Sequence, residues 1–463
     1  MLSRVFALAT ATVALLALSS SSAVAQDIYE NGAVNSIDIP SIDILVQDSV
    51  DPLPTTVNIG ANGQVGWQLN PDGTIVMTPV LDDDGNPVPE LDDMDMPVLD
   101  GMGNPVFEME PVPVDAPSIV VTGNSIVNMA DGSLTTDSIV ASGDATVDIA
   151  GFVGNDLEIS GNARVLMNGG RIDDDAFFES TSRLEVTSGR FDDELQFFDD
   201  TTALFTGGEV RDDLVVADNA QVVIEQFSVS DAIEASGTST TTITNGSFGA
   251  IEAVDGAVVN AAAAEVEEAL GAATGSTITI GDLTTSTATD AEFEITANNS
   301  GVVEFTETAR FGDLTVNARI GGEVRFKSLV ADDLVVNVDG GEMLLSPATA
   351  ETLDVNAALG GVVRIERGRY GSASLQALSN SIIEIVGKDF VINGIPFGPG
   401  DVPFSAGTIS ATLADGQDFF ALFQRQFSPL PSVATIRLIL VPEPTTAVLV
   451  MLGLAGIACR RRG

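Results

Sequence analysis

The sequence predicts an all-β protein whose central part is a single-stranded parallel β-helix with about 19 residues per coil. A repeat is the first observation, because apolar residues recur every 19 positions at Leu134, Val153, Ile172, Phe191, Val210, Val229 and Phe248. Alternation of apolar and polar residues within each repeat, as in Leu214 and Val216, is the second and is typical of strands with one buried face. Short strands of this kind stack into coils that bury their apolar residues against one another.

Further columns keep the same spacing. They are Leu157, Ala176, Leu195, Leu214 and Ile233, then Ile159, Phe178, Phe197, Val216 and Ala235, then Val165, Leu184, Ala203, Val222 and Thr241. Glycine lies two residues before most members of the first column, with Phe227 as the exception. A leucine-rich repeat is disfavoured because a helical half is missing, and a β-sandwich would not maintain so regular a period.

The N-terminal residues 1–25 predict a secretory signal peptide. Arg4 precedes an apolar run over residues 5–18, and Ala23 and Ala25 form a small-x-small cleavage site. Signal peptidase is therefore an expected partner, and cleavage after Ala25 would leave Gln26 as the new N-terminus. We expect the protein to be exported.

Differences in composition divide residues 26–440 into three predicted regions. Residues 26–117 are acidic and proline-rich, and predict a hairpin-bearing region that passes into a stiff linker. The β-helix is expected over 118–390, with an irregular excursion at 260–300, where the Ala- and Glu-rich segment 261–270 favours a short helix. Alternating apolar residues over 391–440 predict a small closing sheet, which such a rod needs at its exposed end.

The C-terminal residues 441–463 have three parts. They are the motif Val441, Pro442, Glu443 and Pro444, an apolar run over 447–459, and the basic end Arg460, Arg461 and Arg462. The prolines favour an extended, accessible backbone. The apolar run is shorter than the roughly 20 residues of a membrane-spanning helix. The arginines would remain on the cytoplasmic side.

This tail resembles the PEP-CTERM sorting signal of exopolysaccharide-producing bacteria. The resemblance implies that an exosortase-like transpeptidase cuts near Pro442-Glu443-Pro444 after the tail has engaged the inner membrane transiently. It places the protein in the cell envelope, on the outer surface or in the extracellular matrix.

Composition also excludes several kinds of chemistry. The 463 residues include no histidine, which excludes His-based catalytic triads and imidazole metal sites. The single cysteine, Cys459, lies in the tail, so we expect no disulfides in the mature protein. A formal charge of −48 repels nucleic acid, and we expect no nucleic-acid partner.

One column of acids carries the best candidate chemistry. Asn155 is followed at 19-residue intervals by Asp174, Asp193, Asp212 and Asp231, and Asp156, Asp175, Glu194 and Asp213 lie beside them. Stacked carboxylates about 5 Å apart would repel one another by about 1 kcal/mol per pair. Either the side chains extend into water, or Ca²⁺ bridges them with oxygen ligands. No other cofactor is expected.

These features favour an exported structural or adhesive protein without enzymatic activity, whose partners would include exopolysaccharide or other surface glycans. The alternative is a β-helix polysaccharide lyase or glycoside hydrolase, since paired carboxylates serve glycoside hydrolysis. Three features disfavour the enzyme. The acids repeat where an active site would break the repeat, aromatic residues are only 5%, and basic residues are sparse.

Overall fold

The structure is a computed structural model, and it describes residues 119–285, 293–425 and 434–441 together with short segments between residues 27 and 111. These residues form 42 strands and no helix, arranged as a parallel β-solenoid of about 15 turns spaced about 19 residues apart. At about 4.8 Å per turn the rod is roughly 70 Å long.

The strands before the regular repeats are short. They are β1 (Asp27–Tyr29), β2 (Val34–Ile37), β3 (Pro40–Ser41), β4 (Ile44–Val46), β5 (Thr56–Ile59), β6 (Gln64–Val65), β7 (Met77–Pro79) and β8 (Met109–Pro111).

The regular repeats follow. Their strands are β9 (Ile119–Val121), β10 (Ile126–Met129), β11 (Leu134–Thr135), β12 (Ile139–Ala141), β13 (Thr146–Ile149), β14 (Phe152–Val153), β15 (Leu157–Ile159), β16 (Arg164–Ile172), β17 (Ala176–Phe178), β18 (Arg183–Phe191), β19 (Leu195–Phe197), β20 (Thr202–Phe205), β21 (Glu209–Val210), β22 (Leu214–Val216), β23 (Gln221–Ile224), β24 (Phe227–Ala235), β25 (Thr240–Ile243) and β26 (Gly246–Ala253).

Longer strands and the C-terminal end complete the rod. They are β27 (Val258–Ala273), β28 (Thr277–Thr285), β29 (Phe293–Asn298), β30 (Val302–Arg310), β31 (Asp313–Arg319), β32 (Glu323–Asp339), β33 (Glu342–Leu345), β34 (Ala348–Ala358), β35 (Val362–Ile365), β36 (Gly368–Ala377), β37 (Ile382–Ile392), β38 (Ile395–Pro396), β39 (Gly400–Asp401), β40 (Ala406–Leu413), β41 (Asp418–Arg425) and β42 (Thr435–Leu440).

Each regular coil contributes to three faces. In one coil β15 lies on the first face, the start of β16 on the second and the end of β16 on the third. Each segment pairs in parallel with its counterpart one coil later, so like residues form columns along the rod. The apolar columns lie inside, and the aromatic rings of Phe178 and Phe197 stack there with centroids 5.1 Å apart.

The predicted columns are confirmed, with one error of register. Leu157, Ala176, Leu195, Leu214 and Ile233 pair in succession and are fully buried. In the first column, however, Thr135 pairs with Val153 and is buried, whereas Leu134 pairs with Phe152 and is half-buried. That coil is one residue shorter than the repeat, which moves Leu134 out of the interior.

The prediction of a short helix at residues 261–270 is wrong. This segment lies within β27, which pairs in parallel with β26 on one side and with β28 and β29 on the other. Ala264 and Val266 are buried, while Glu265 and Glu267 are exposed, as strand alternation requires. Hydrogen bonding to both neighbouring coils outweighs the helix propensity of alanine and glutamate. Of the predicted excursion at 260–300, residues 286–292 lie outside the described residues.

The stack also begins before residue 118. β5 pairs with β10 and β6 with β11, so segments of the predicted linker form coils of the rod. Val57 and Ile59 are buried there, which explains why these strands join the stack. A separate antiparallel pair, β7 and β8, is the described counterpart of the expected hairpin.

Antiparallel pairing closes the C-terminal end within residues 391–440. β40 pairs antiparallel with both β37 and β41, while β41 and β42 continue the parallel columns of β36 and β37. Phe419, Ala421 and Phe423 cover the interior of the last coil.

Candidate functional site: an acidic ladder and a C-terminal sorting tail

The acidic ladder lies at the turn between the third and first faces. Buried Ile172 and Ala176 flank the turn and direct the side chains of Asp173, Asp174 and Asp175 outward. Backbone hydrogen bonds join successive turns, as between the Ala176 N–H and the Glu194 carbonyl at 2.9 Å. The acids of adjacent coils are therefore held at the strand spacing.

The structure brings the predicted acids together in two groups. Carboxylate oxygens of Asp156, Asp174 and Asp175 lie within 4.8 Å of one another. Those of Asp212, Asp213 and Asp231 form the second group. These groups contain three of the four acids of the predicted column and three of the acids beside it.

The fourth column residue, Asp193, lies between the two groups. Its Oδ1 accepts a hydrogen bond from the Glu194 N–H at 3.1 Å, and its side chain is hydrogen-bonded to Asp212. Asn155, at the start of the column, donates from Nδ2 to Asp137 Oδ1 at 3.0 Å. Polar side chains of successive coils therefore contact one another along the column, which forms a continuous ladder.

Burial, hydrogen bonding and the crowding of like charges raise the pKa of several acids of the ladder. Burial, followed by the charges of Asp174 and Asp175, raises the pKa of Asp156 to about 6. The hydrogen bond with Asp193, followed by burial and the charge of Asp213, raises the pKa of Asp212 to about 6. Burial and neighbouring acids also raise the pKa of Asp175 and of Glu194. Near pH 6 the ladder therefore holds protons that isolated aspartates would have lost.

Arginines offset the charge at one edge of the ladder. Asp192 forms ion pairs with Arg171, with Arg190 and, at 3.5 Å, with Arg211. Burial opposes ionisation of Asp192, but hydrogen bonds from Arg190 and Arg171 outweigh it and hold the pKa below its ordinary value. Arginine side chains thus compensate the charge of Asp192, whereas the surroundings of Asp156 and Asp212 favour the protonated forms of these carboxyls.

The ladder offers only carboxylate and amide oxygens, together with backbone groups. That donor set suits hard cations such as Ca²⁺, which oxygen ligands bind at about 2.3–2.6 Å. Sharing of protons between neighbouring carboxyls is the other means of reducing the repulsion.

The sequence-predicted processing sites lie at the two ends of the chain. Ala23 and Ala25 lie outside the described residues, as do residues 442–463 with Pro442, Glu443, Pro444 and the three terminal arginines. Val441 is the last described residue, and its N–H donates to the Gly387 carbonyl at 3.1 Å. The tail therefore starts directly from the C-terminal end of the rod.

A polar groove on the third face was missed by the sequence analysis. Its lining consists mainly of polar and small residues, which include Gln226, Asn245 and Ser247. The available signal was a change in one column, where Arg171, Arg190 and Glu209 are followed by Ser228 and Ser247.

The fold and its C-terminal attachment define a β-solenoid passenger that carries a terminal sorting segment. Residues 440–462 match the PEP-CTERM protein-sorting motif. The motif implies an exported protein that is sorted by exosortase through a membrane-anchored C-terminal tail. No curated protein and no solved structure matches the chain. Over the part that the structure describes, no helix has the length and apolarity needed to cross a membrane.

Proposed function

We propose that the mature protein is a structural or adhesive component of the outer cell surface or the extracellular matrix, delivered there by its tail. The observation that carries the proposal is the junction at Val441, where a sorting motif follows the last strand of a long, regular rod. A rod displays an extended surface on each face, and its stability comes from the contacts between successive coils. At this location we expect exopolysaccharide or other surface glycans to be its binding partners.

Processing would involve two partners before the rod reaches its destination. Signal peptidase would cut after Ala25, and an exosortase-like transpeptidase would cut near Pro442-Glu443-Pro444 while the tail lies in the inner membrane. The net charge of −48 disfavours a nucleic-acid partner.

We propose that the protein is not an enzyme, with a polysaccharide lyase or glycoside hydrolase as the alternative. The specific observation for the alternative is that Glu265 and Asp282 both line the polar groove. Both side chains are exposed, however, whereas a general acid for glycoside hydrolysis is usually kept protonated by a buried setting. A binding surface accounts for the same groove without a catalytic acid.

Replacement of Pro442, Glu443 and Pro444 by alanine tests the sorting role. We expect the variant to retain its tail, so that its mass exceeds that of the processed wild type, and to accumulate in the membrane fraction. Thr445→Ala/Thr446→Ala is the matched control, because it changes the two residues that directly follow the Pro-Glu-Pro triplet and leaves the triplet itself intact. Normal processing and normal surface location of the triple variant would refute the proposal.

A further inference from the structure

A groove of about 590 Å³ runs along the third face of the rod. Its lining begins at Thr187 and ends at Thr284, and therefore crosses six successive coils. Five strand spacings correspond to roughly 24 Å along the rod axis. The groove is thus long enough to hold an extended chain lying parallel to the axis.

Short side chains create the groove. Ser228 and Ser247 occupy the column whose earlier members, Arg190 and Glu209, are long and charged. Gly246 has no room for a side chain, since a Cβ there would lie 2.4 Å from the ring of Phe248 and 2.7 Å from the Phe227 carbonyl oxygen. The backbone consequently forms the floor at this point.

Phe227 supports that floor from below. It replaces the glycine of the other coils, but its side chain is only 3% exposed and its ring centroid lies 4.3 Å from that of Phe205. A Cβ on Gly208 would lie 3.0 Å from the Phe227 ring. The aromatic ring is therefore part of the core, and the groove surface itself is polar.

Several polar groups in the groove have no partner within the described part of the protein. The side chains of Gln226, Asn245 and Ser247 form no hydrogen bond there, and both amides are exposed. Thr187 and Thr206 differ, because their hydroxyls donate to Asn168 Oδ1 at 2.6 Å and to the Val186 carbonyl at 3.2 Å. Gln226 and Asn245 are 19 residues apart and occupy equivalent turns of adjacent coils, so they offer a repeated pair of amides.

We propose that this groove binds a strand of an uncharged, hydroxyl-rich polysaccharide. Amide and hydroxyl side chains both donate and accept hydrogen bonds, as sugar hydroxyls require. Among the lining residues there is no cation, and Glu265 and Asp282 lie toward one end, which disfavours polyuronates and other polyanions. The inference rests on the proposed surface function and names the class of glycan.

An extended peptide fits the groove less well. Peptides usually add to an unpaired strand edge or insert apolar side chains into pockets. The strands beneath the groove, such as β24 and β26, pair on both sides with neighbouring coils. Its exposed lining is polar, and the one large apolar side chain, Phe227, is buried.

The test is native affinity electrophoresis of the purified exported protein in gels that contain dextran, mixed-linkage β-glucan or polygalacturonate. We expect at least one uncharged glucan to retard the wild type, and polygalacturonate not to do so. Gln226→Ala/Asn245→Ala should weaken retardation by about tenfold, since two hydrogen bonds to neutral groups are lost. Gln221→Ala/Asn260→Ala is the matched control, because it removes one glutamine and one asparagine from the exposed second face.

Four results would overturn the inference. They are no retardation by either glucan, equal loss in both double variants with unchanged circular dichroism, retardation by polygalacturonate equal to that by glucan, and shortening of the glucan during the assay. The last result would show that the protein cleaves the glucan rather than only binding it. The proposed surface function is tested separately, because wild-type tail processing and location do not depend on these outcomes.

Discussion

Asp212→Asn is the substitution that best examines the electrostatics of the ladder. The Asp212 carboxyl is hydrogen-bonded to Asp193 and lies beside Asp213 and Asp231. An asparagine amide has nearly the same shape, carries no charge and can donate a hydrogen bond to Asp193. We therefore expect the variant to be more stable than the wild type at pH 7.5 in the presence of a chelator.

The magnitude follows from the raised pKa. A rise from 3.8 to about 6 corresponds to at most about 3 kcal/mol, because each unit represents 1.36 kcal/mol. Solvent screening at this half-exposed position reduces the expected gain to about 1 kcal/mol. For a chain of this size, such a gain raises the melting temperature by about 1–2 °C.

The sign of the pH dependence is fixed by the same shift. The folded protein binds the Asp212 proton more tightly than the unfolded chain does, so this contribution to stability is full below pH 4 and is lost as the pH rises through 6. Asp156 acts in the same direction. The wild type should melt at a higher temperature at pH 5 than at pH 7.5, and Asp212→Asn should reduce that difference.

Far-ultraviolet circular dichroism is the suitable assay, because the chain has a single tryptophan for fluorescence. Glu342→Gln is the matched control, since it also removes one negative charge but lies at an exposed position of β33 on the second face, several coils beyond the ladder. An Asp212→Asn variant no more stable than Glu342→Gln at pH 7.5, or a wild type no more stable at pH 5 than at pH 7.5, would refute the reasoning.

Two further predictions concern metal and core. If Ca²⁺ bridges the ladder, millimolar Ca²⁺ should raise the melting temperature of the wild type, and Asp212→Asn should reduce that gain by removing a ligand from one of the two groups. If the melting temperature is the same with Ca²⁺ and with chelator, proton sharing remains as the way in which the repulsion between the carboxylates is reduced. Phe205→Ala should lower the free energy of unfolding by about 3–5 kcal/mol, because the ring is fully buried against Phe197 and Phe227. Phe420→Ala, at a position that is 54% exposed, should change it by less than about 0.5 kcal/mol, and equal losses would contradict the assignment of the core.

The periodic part of the fold could be predicted because each coil repeats both its length and its apolar positions. The same logic failed at Leu134, where a coil one residue shorter shifts the register and a threonine takes the buried position. It failed again at 261–270, because the local preference of alanine and glutamate for helix is weaker than pairing with coils on both sides. Contacts between coils, rather than local propensity, decide such positions.

The candidate sites divide in a similar way. The acidic column was visible because its members recur at the repeat length, and stacking places their carboxylates together in two groups. The groove could not be predicted from the sequence. It depends on the lack of long side chains at Ser228 and Ser247 and on the inward direction of the Phe227 side chain. A sequence reports the types of residue in a column but not the space that they leave.

By itself the sequence determined the period, the strand alternation, the acidic column and the sorting motif, because each of these is a linear pattern. Only the tertiary structure decided which acids meet, where Phe227 lies and where a groove opens. Those properties depend on side chains from different coils, which are separated along the chain but are brought to the strand spacing by parallel stacking. That stacking is also what raises the pKa of Asp156 and Asp212.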